Sequence, residues 1–285
     1  MLGVTAVRKA CIIGHPVAHS RSPLIHNYWL KTLGLSGSYE REDVTVEQLP
    51  DFLRTLRSRG YVGGNVTVPH KEAVHRLADR RDAAAAAIGA VNTLWFEEDA
   101  LVAGNTDAHG FATHLEISVP DWRSNARHAV VMGAGGAARA VVYALLETGL
   151  EIAIVNRSFD RANLLSAHFG GRPKVHGFAG LPGLMATADL LVNTTSLGMV
   201  GNPPLSIDLE GLNPTAIVYD IVYVPLETEL LKAARRRGHR TVDGLGVLLH
   251  QAVPGFARWF GVTPKVTPEL RAHIEADIRA KVRSA

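Results

Sequence analysis

Cysteine is nearly missing from this chain: Cys11 is the only one in 285 residues, so no disulfide can form within it. It sits in the apolar run Ala10-Cys11-Ile12-Ile13, where a small buried side chain is expected. Long hydrophobic runs are missing as well. No stretch approaches the roughly 20 residues of a membrane span, and the segment between Arg8-Lys9 and Gly14-His15-Pro16 is too short for a signal-peptide core. There is no internal repeat, and no low-complexity tract beyond Ala83–Ala87, which reads as plain helix. Nor is there a marked excess of one charge. The formal net charge is +3, and the densest basic run, Arg235-Arg236-Arg237-Gly238-His239-Arg240, has the form of a helix C-terminus before a glycine, where cations complement the dipole. These absences argue against a nucleic-acid or membrane partner and leave a cytoplasmic enzyme acting on a small molecule as the simplest class.

What is present is a globular composition, 47% hydrophobic and 20% charged, over a length that makes two domains the default. The first hundred residues alternate strand and helix patterns. Strands are expected at Lys9–Gly14, Ser38–Glu42, Gly63–Val68, Asn92–Glu97 and Ala100–Gly104, with helices near Pro23–Leu33, Val46–Arg59, Lys71–Leu77 and Asp82–Ile88. The last two strands form a hairpin, and the rest suit a mostly parallel sheet. After a helix over Asp107–Trp122, a second block places strands at Ala129–Met132, Glu151–Val155, Lys174–Gly177, Leu190–Asn193, Ile217–Ile221 and Arg240–Val242, the doubly wound Rossmann pattern. Helices over Val247–Phe260 and Pro268–Val282 are expected to pack back on the first domain. The fold expected is therefore α/β with two domains: residues 1–107 plus 248–285, and residues 108–247.

The strand Ala129–Met132 runs into Gly133-Ala134-Gly135-Gly136-Ala137-Ala138-Arg139 and then a helix, the context in which G-x-G-x-x-G/A binds a dinucleotide. Gly133 permits the tight turn, Gly135 lets backbone approach a pyrophosphate, and the small Ala138 allows close helix packing; bare amides at the helix start can hold phosphate. Where an acidic side chain would bind the ribose of NAD, the second strand ends instead in Asn156-Arg157-Ser158-Phe159-Asp160-Arg161. Arg157 and Arg161 suit a ribose 2′-phosphate between them and so favour NADP, although Asp160 could screen the pair and Ser158 could simply cap a helix. Thr195, Met199 and Tyr223 follow the carboxyl ends of later strands, where open α/β sheets bind ligands; Met and Tyr at such places also serve plain packing.

In Gly64-Asn65-Val66-Thr67-Val68-Pro69-His70-Lys71, alternation puts Asn65 and Thr67 on one face and Val66 and Val68 on the packed face. Lys71 begins the helix that follows, where a cation opposes the helix dipole by roughly 0.3–1 kcal/mol. Polar groups thus converge at one strand end, as a site for a small hydroxylated ligand requires, though a surface lysine beside a wetted strand edge has the same pattern. Ser20 and Ser22 add two hydroxyls; Ser22 before Pro23 also reads as a helix cap, and Asp107 as a cap for the helix from Ala108.

Taken together, Ser20-x-Ser22-Pro23, Asn65 to Lys71, Gly89-Ala90-Val91-Asn92-Thr93, Gly104-Asn105-Thr106-Asp107-Ala108-His109-Gly110, Gly133–Arg139, Asn156-Arg157-Ser158, Asn193 to Met199, Asp220-Ile221-Val222-Tyr223 and Asp243-Gly244 resemble the shikimate dehydrogenase family, in order and over nearly the whole chain. The resemblance implies NADPH-dependent reduction of 3-dehydroshikimate to shikimate in aromatic amino acid biosynthesis, with hydride transfer across an interdomain cleft and no metal. It implies that Ser20, Ser22, Asn65, Thr67, Asn92, Asp107 and Gln251 bind substrate, with Lys71 and Asp107 as the catalytic pair. By the same matching, Gly133, Ala134, Gly135, Gly136, Ala137, Ala138, Asn156, Arg157, Ser158, Arg161, Thr195 and Met199 hold NADP, and Tyr223 and Gly244 border the cleft on its substrate and cofactor sides. Such a pocket rejects ligands that lack the matching hydroxyls, by up to about 10⁴–10⁵. Quinate or aminoshikimate as substrate, and a nucleotide-sensing protein that has lost catalysis, are the alternatives; a monomer and a homodimer are both open.

Overall fold

A computed structural model describes residues 7–283 of the chain. Its strands are β1 (Arg8–Gly14), β2 (Gly37–Asp43), β3 (Tyr61–Val66), β4 (Arg80–Arg81), β5 (Thr93–Glu97), β6 (Ala100–Gly104), β7 (His128–Met132), β8 (Glu151–Val155), β9 (Lys174–His176), β10 (Leu190–Asn193), β11 (Ile217–Asp220) and β12 (Arg240–Val242). The helices are α1 (Ser22–Thr32), α2 (Leu49–Thr55), α3 (Lys71–Leu77), α4 (Ala83–Ile88), α5 (Asp107–Ser118), α6 (Trp122–Asn125), α7 (Gly136–Leu146), α8 (Phe159–His168), α9 (Leu181–Met185), α10 (Glu229–Arg236), α11 (Leu245–His250), α12 (Ala252–Phe260) and α13 (Pro268–Arg283). Among the described residues no helix is long and apolar enough to cross a membrane. Two compact units result: one holds the described residues up to Thr106 together with Gln251–Ile274, the other Asp107–His250 and the described residues from Glu275 onward.

The first unit is built on a six-stranded sheet in the order β2-β1-β3-β5-β6-β4. β1 runs parallel to both β2 and β3, and β4 runs parallel to β6. The hairpin strand β5 is antiparallel to both its neighbours. One side of the sheet buries Ile13, Val66, Leu94 and Leu101 against Leu49, Phe52 and Val74. On α12, Trp259 donates its indole N–H to the Leu94 carbonyl at 2.8 Å. Gly63 makes that reach possible: at φ +153°, an added Cβ would lie 2.2 Å from the Leu94 carbonyl oxygen and 2.4 Å from the indole nitrogen.

Three local expectations are corrected. Strand β3 stops at Val66, two residues early, because Thr67 already starts a turn in which the His70 amide donates to the Thr67 carbonyl at 2.9 Å. Val68 therefore does not pack with Val66; it is 69% exposed. Strand β4, for which the sequence carries no expectation, has only two residues, both exposed arginines, too few for any alternation to register. The helix expected over Val247–Phe260 breaks at Gln251, since Pro254 has no N–H to give the His250 carbonyl. Likewise α5 ends at Ser118, just before Pro120, and α6 is a separate turn.

The second unit has a fully parallel sheet in the order β12-β11-β10-β7-β8-β9. Counted from β7, this is the doubly wound order 3-2-1-4-5-6 read from the other edge. Its strands read as unbroken apolar runs because both faces are covered; Val131, Met132, Leu191, Val192 and Val218 are all fully buried. The reversal of winding lies between β7 and β10, so the crevice of this sheet opens at the end of β7, where the glycine-rich turn begins.

Candidate active site

In the first unit, the strand ends carry a connected group of buried amides and hydroxyls. Asn65, the second-last residue of β3, points away from the Val66 side, and its Nδ2 donates to the Asn92 carbonyl at 3.0 Å and to Thr93 Oγ1 at 3.2 Å. Its Oδ1 accepts the Tyr39 hydroxyl at 2.6 Å. Asn92, at the entry to β5, accepts the Thr106 amide at 2.8 Å and the Thr93 hydroxyl at 2.9 Å on Oδ1. Its Nδ2 donates to Thr106 Oγ1 at 3.0 Å and Gln251 Oε1 at 3.2 Å. Thr106 closes the group by donating its hydroxyl to the Gln251 carbonyl at 2.8 Å. Each residue of this group is at least nine-tenths buried, and a buried amide left without such partners would cost about 1–3 kcal/mol.

The remaining predicted residues of this kind are Lys71, Thr67, Ser20 and Ser22 in the first unit and Asp107 at the start of the second. Lys71 opens α3, half-buried, and its carbonyl accepts the Val91 amide at 3.0 Å, which ties the helix start to the residue before Asn92. Thr67 is half-buried beside Gly14, whose added Cβ would meet the threonine methyl at 2.5 Å. Ser20 Oγ accepts the Ser22 amide at 3.3 Å and donates to Ser22 Oγ at 3.4 Å. Ser22 is not the cap of α1: it is the first helical residue, and Arg21 stands at the cap position without a side-chain cap bond. The Ser22 hydroxyl is thereby released from the capping duty that Pro23 suggests, and it interacts with the Tyr39 phenol. Asp107 is the first residue of α5 and follows Thr106 directly, so the hold of Asn92 on the Thr106 amide ends one peptide bond short of it. Tyr39 is the member of the group that sequence reasoning missed. An aromatic residue in an edge strand reads as packing, and only its partner reveals the polar role.

The second unit supplies a cradle. Gly133 has φ +114°, and an added Cβ would sit 2.5 Å from Thr194 Oγ1, so the turn itself demands glycine there. Gly135 and Gly136 are different: a Cβ at either meets nothing within 4 Å. That open space lies at the N-terminus of α7, where Gly135 is the cap residue and offers no side-chain acceptor to the first amides. A pyrophosphate fits this donor set and this room. Ala138 is fully buried, as close helix packing requires, whereas Ala134 and Ala137 are half-buried. At the end of β8, Asn156 Nδ2 donates to the Ser158 carbonyl at 2.9 Å, shaping the turn, and Ser158 caps α8 by accepting the Arg161 amide at 3.4 Å. Arg157 and Arg161 are exposed on this turn, and neither has an ion-pair partner among the described residues. Asp160 does not screen them by a salt bridge.

The loops after β10 and β11 hang on one buried carboxylate. Asp220 accepts Asn193 Nδ2 at 2.9 Å, the Val222 amide at 3.0 Å and the Thr228 hydroxyl at 2.7 Å. Burial nevertheless raises its pKa, against the pull of these donors. Asn193 Oδ1 in turn accepts the Thr195 amide at 3.0 Å and hydroxyl at 2.7 Å. Met199 is exposed and Tyr223 half-buried on adjacent loops, which are joined by the Val200 amide donating to the Val224 carbonyl at 2.8 Å. Gly244 is buried; a Cβ there would lie 2.1 Å from the Ile221 carbonyl oxygen, so its identity follows from backbone packing.

A mixed sheet bearing a strand-end cluster of amides and hydroxyls, in one chain with a doubly wound sheet and an open glycine cradle, defines a dinucleotide-binding α/β protein of two units. Comparison with known proteins narrows the class. Residues 12–94 match the shikimate dehydrogenase substrate binding domain, and residues 115–199 match the shikimate / quinate 5-dehydrogenase domain. The shikimate dehydrogenase (NADP(+)) of Mesorhizobium japonicum is 56% identical, over 98% of this chain and 99% of that one. That of Azorhizobium caulinodans is 52% identical, over 96% and 98%. Among solved structures, shikimate 5-dehydrogenase from Thermus thermophilus, in complex with NADP(H) and shikimate, is 36% identical with a TM-score of 0.82, over 96% of this chain and 99% of that one. Quinate dehydrogenase from Corynebacterium glutamicum, in complex with NAD, is 33% identical with a TM-score of 0.85, over 95% and 99%. The chain belongs to the shikimate dehydrogenase family.

Proposed function

We propose that this chain is an NADP-dependent shikimate dehydrogenase, which reversibly reduces 3-dehydroshikimate to shikimate in aromatic amino acid biosynthesis. The observation that carries this is the full-length likeness, at 52–56% identity, to proteins named shikimate dehydrogenase (NADP(+)). The first unit is the substrate side. Asn65, Asn92, Thr67, Gln251, Ser20 and Ser22 match the ring hydroxyls and carboxylate of shikimate in chemical type, and Tyr223 is the residue of the second unit read as bordering the substrate.

The second unit takes NADP. Gly133, Gly135, Gly136 and the first amides of α7 hold the pyrophosphate, and Arg157, Ser158 and Arg161 the 2′-phosphate, with Asn156 keeping their turn in shape. Thr195, Met199 and Gly244 form the remaining wall. NADPH, when bound, supplies the hydride. Reduction of the substrate ketone leaves negative charge on its oxygen, and Lys71, as an ammonium, stabilises that charge and hands over the proton. In the reverse direction it takes the proton back. Asp107 completes the catalytic pair and accepts from the neighbouring substrate hydroxyl. We place the reaction in the cytoplasm, which suits the lone buried Cys11, in a monomer or homodimer; light scattering separates the two.

The test is oxidation of shikimate and of quinate, each with NADP and with NAD. Shikimate with NADP is expected to give the highest kcat/KM. A preference for quinate with NAD, the pairing named for the Corynebacterium glutamicum structure, would overturn both the substrate and the cofactor assignment.

A further inference from the structure

Tyr39 lies in β2, outside every motif that marks the substrate side, yet its buried hydroxyl is bonded at 2.6 Å to a buried amide of that side. The consequences for Asn65 can be counted. Its two Nδ2 hydrogens are spent on the Asn92 carbonyl and Thr93 Oγ1. Its Oδ1 has given one lone pair to Tyr39 and keeps one. Turning the carboxamide over would set Oδ1 against the Asn92 carbonyl, two acceptors face to face, and would leave the Tyr39 proton without its acceptor. The amide is therefore fixed as an acceptor toward a ligand, able to take a hydroxyl proton and unable to donate.

The tyrosine ring is fixed in its turn. His26 stacks on it, with centroids 4.1 Å apart and planes 15° from parallel, and Trp259 packs at 5.8 Å. His26 is wholly enclosed, with Trp29, Phe256 and Trp259 around it as well and the Asn65 side chain close enough to act on it, though neither ring nitrogen meets a partner in good hydrogen-bond geometry. It serves as a flat neutral wall. Burial holds its pKa at about 3 and pushes the Tyr39 phenol well above its ordinary range. Donor and wall thus keep one state throughout the neutral pH range.

We propose that Tyr39 is a positioning residue for substrate recognition, which acts by locking the Asn65 carboxamide in its acceptor orientation. The inference rests on the reading of the first unit as the shikimate side. Its test uses the full-length enzyme with Tyr39→Phe, Asn65→Ala and the pair combined. Tyr39→Phe is expected to raise KM for shikimate about three- to tenfold, the worth of one hydrogen bond, with KM for NADP unchanged. In the Asn65→Ala background the same change is expected to add less than about twofold, because an effect exerted through Asn65 has no route once it is gone. His26→Phe, which keeps a flat wall, should leave KM for shikimate near that of the parent. An unchanged KM in Tyr39→Phe, or an equal effect with and without Asn65, overturns the proposal.

A second measurement needs no turnover. The side-chain amide resonances of Asn65 in ¹⁵N-labelled protein, identified by their loss in Asn65→Ala, should exchange with water several-fold faster in Tyr39→Phe. Equal exchange rates would sink the lock even if the substrate proved to be another compound. Failure to turn over shikimate would refute only the assigned reaction.

Discussion

The side-chain oxygen of Asn92 accepts the backbone amide of Thr106 at 2.8 Å, and the residue after Thr106 is Asp107. Asn92 also donates to Thr106 Oγ1 and to Gln251, so a single amide sets the end of β6 and the chain entering α12. Replacing Asn92 by alanine is expected to cost about 2–4 kcal/mol of stability, from at least two buried partners left unsatisfied. It should also lower kcat more than it raises KM for NADP. Denaturant unfolding and steady-state kinetics check the pair of effects; a stable variant with normal kcat would show that Asn92 sets neither.

Lys71→Ala is expected to lower kcat for shikimate oxidation by about 10²–10⁴, the usual range for a positioned acid or base, with KM for NADP unchanged. Turnover close to that of the parent would remove Lys71 from the chemistry.

Arg157 and Arg161 should act on the phosphate that distinguishes the two cofactors. Each lost charge-assisted hydrogen bond is worth about 1.5–3 kcal/mol, so either alanine variant should raise KM for NADP about 10- to 100-fold. KM for NAD should stay flat. A parallel rise for both cofactors would place the arginines elsewhere on the nucleotide.

Gly133 and Gly135 belong to one motif and should fail in different ways. Gly133→Ala meets both φ +114° and the 2.5 Å approach to Thr194, and is expected to destabilise the protein by about 1–3 kcal/mol. Gly135 has φ −94° and open space around it, so Gly135→Val should fold normally and lose NADP affinity. Thermal unfolding and cofactor titration of the two variants separate the roles.

His26 predicts the acid limb of the stability curve. Its folded pKa of about 3 lies below the ordinary histidine value of 6.5, so the unfolded chain binds the extra proton. Stability contributed by the neutral ring is intact above the higher value and is lost as pH falls toward the lower, by about 1.4 kcal/mol per pH unit. His26→Phe should flatten that slope in denaturant titrations between the two values. An unchanged slope would mean that other groups govern acid unfolding.

How much of this was legible in the sequence depends on the range of the signal. The order of strands and helices followed from apolar periodicity, and the glycine turn from its strand-to-helix context, because both are local. The residues at the strand ends could be named for the same reason. Their partners could not: Tyr39 and Asn65 are 26 positions apart, Asn92 and Gln251 are 159 apart, and only the sheet order and the return of the chain at α12 bring them together. Val68 misled because alternation continues through a turn as readily as through a strand. Ser22 misled because Pro23 satisfies the pattern of a cap one residue later than the cap itself.

The piece Gln251–Ile274 that completes the first unit carries a consequence for how the protein is made. Trp259 closes on the Leu94 carbonyl across 165 positions, so a ribosome must deliver all of Asp107–His250 before the first sheet receives its last helix. The second unit's sheet is continuous in the chain and can be complete by then. The amino-terminal half, synthesised first, stays unfinished until the chain has passed Asp107–His250; until then the face that Trp259 covers is open to solvent and to other nascent chains.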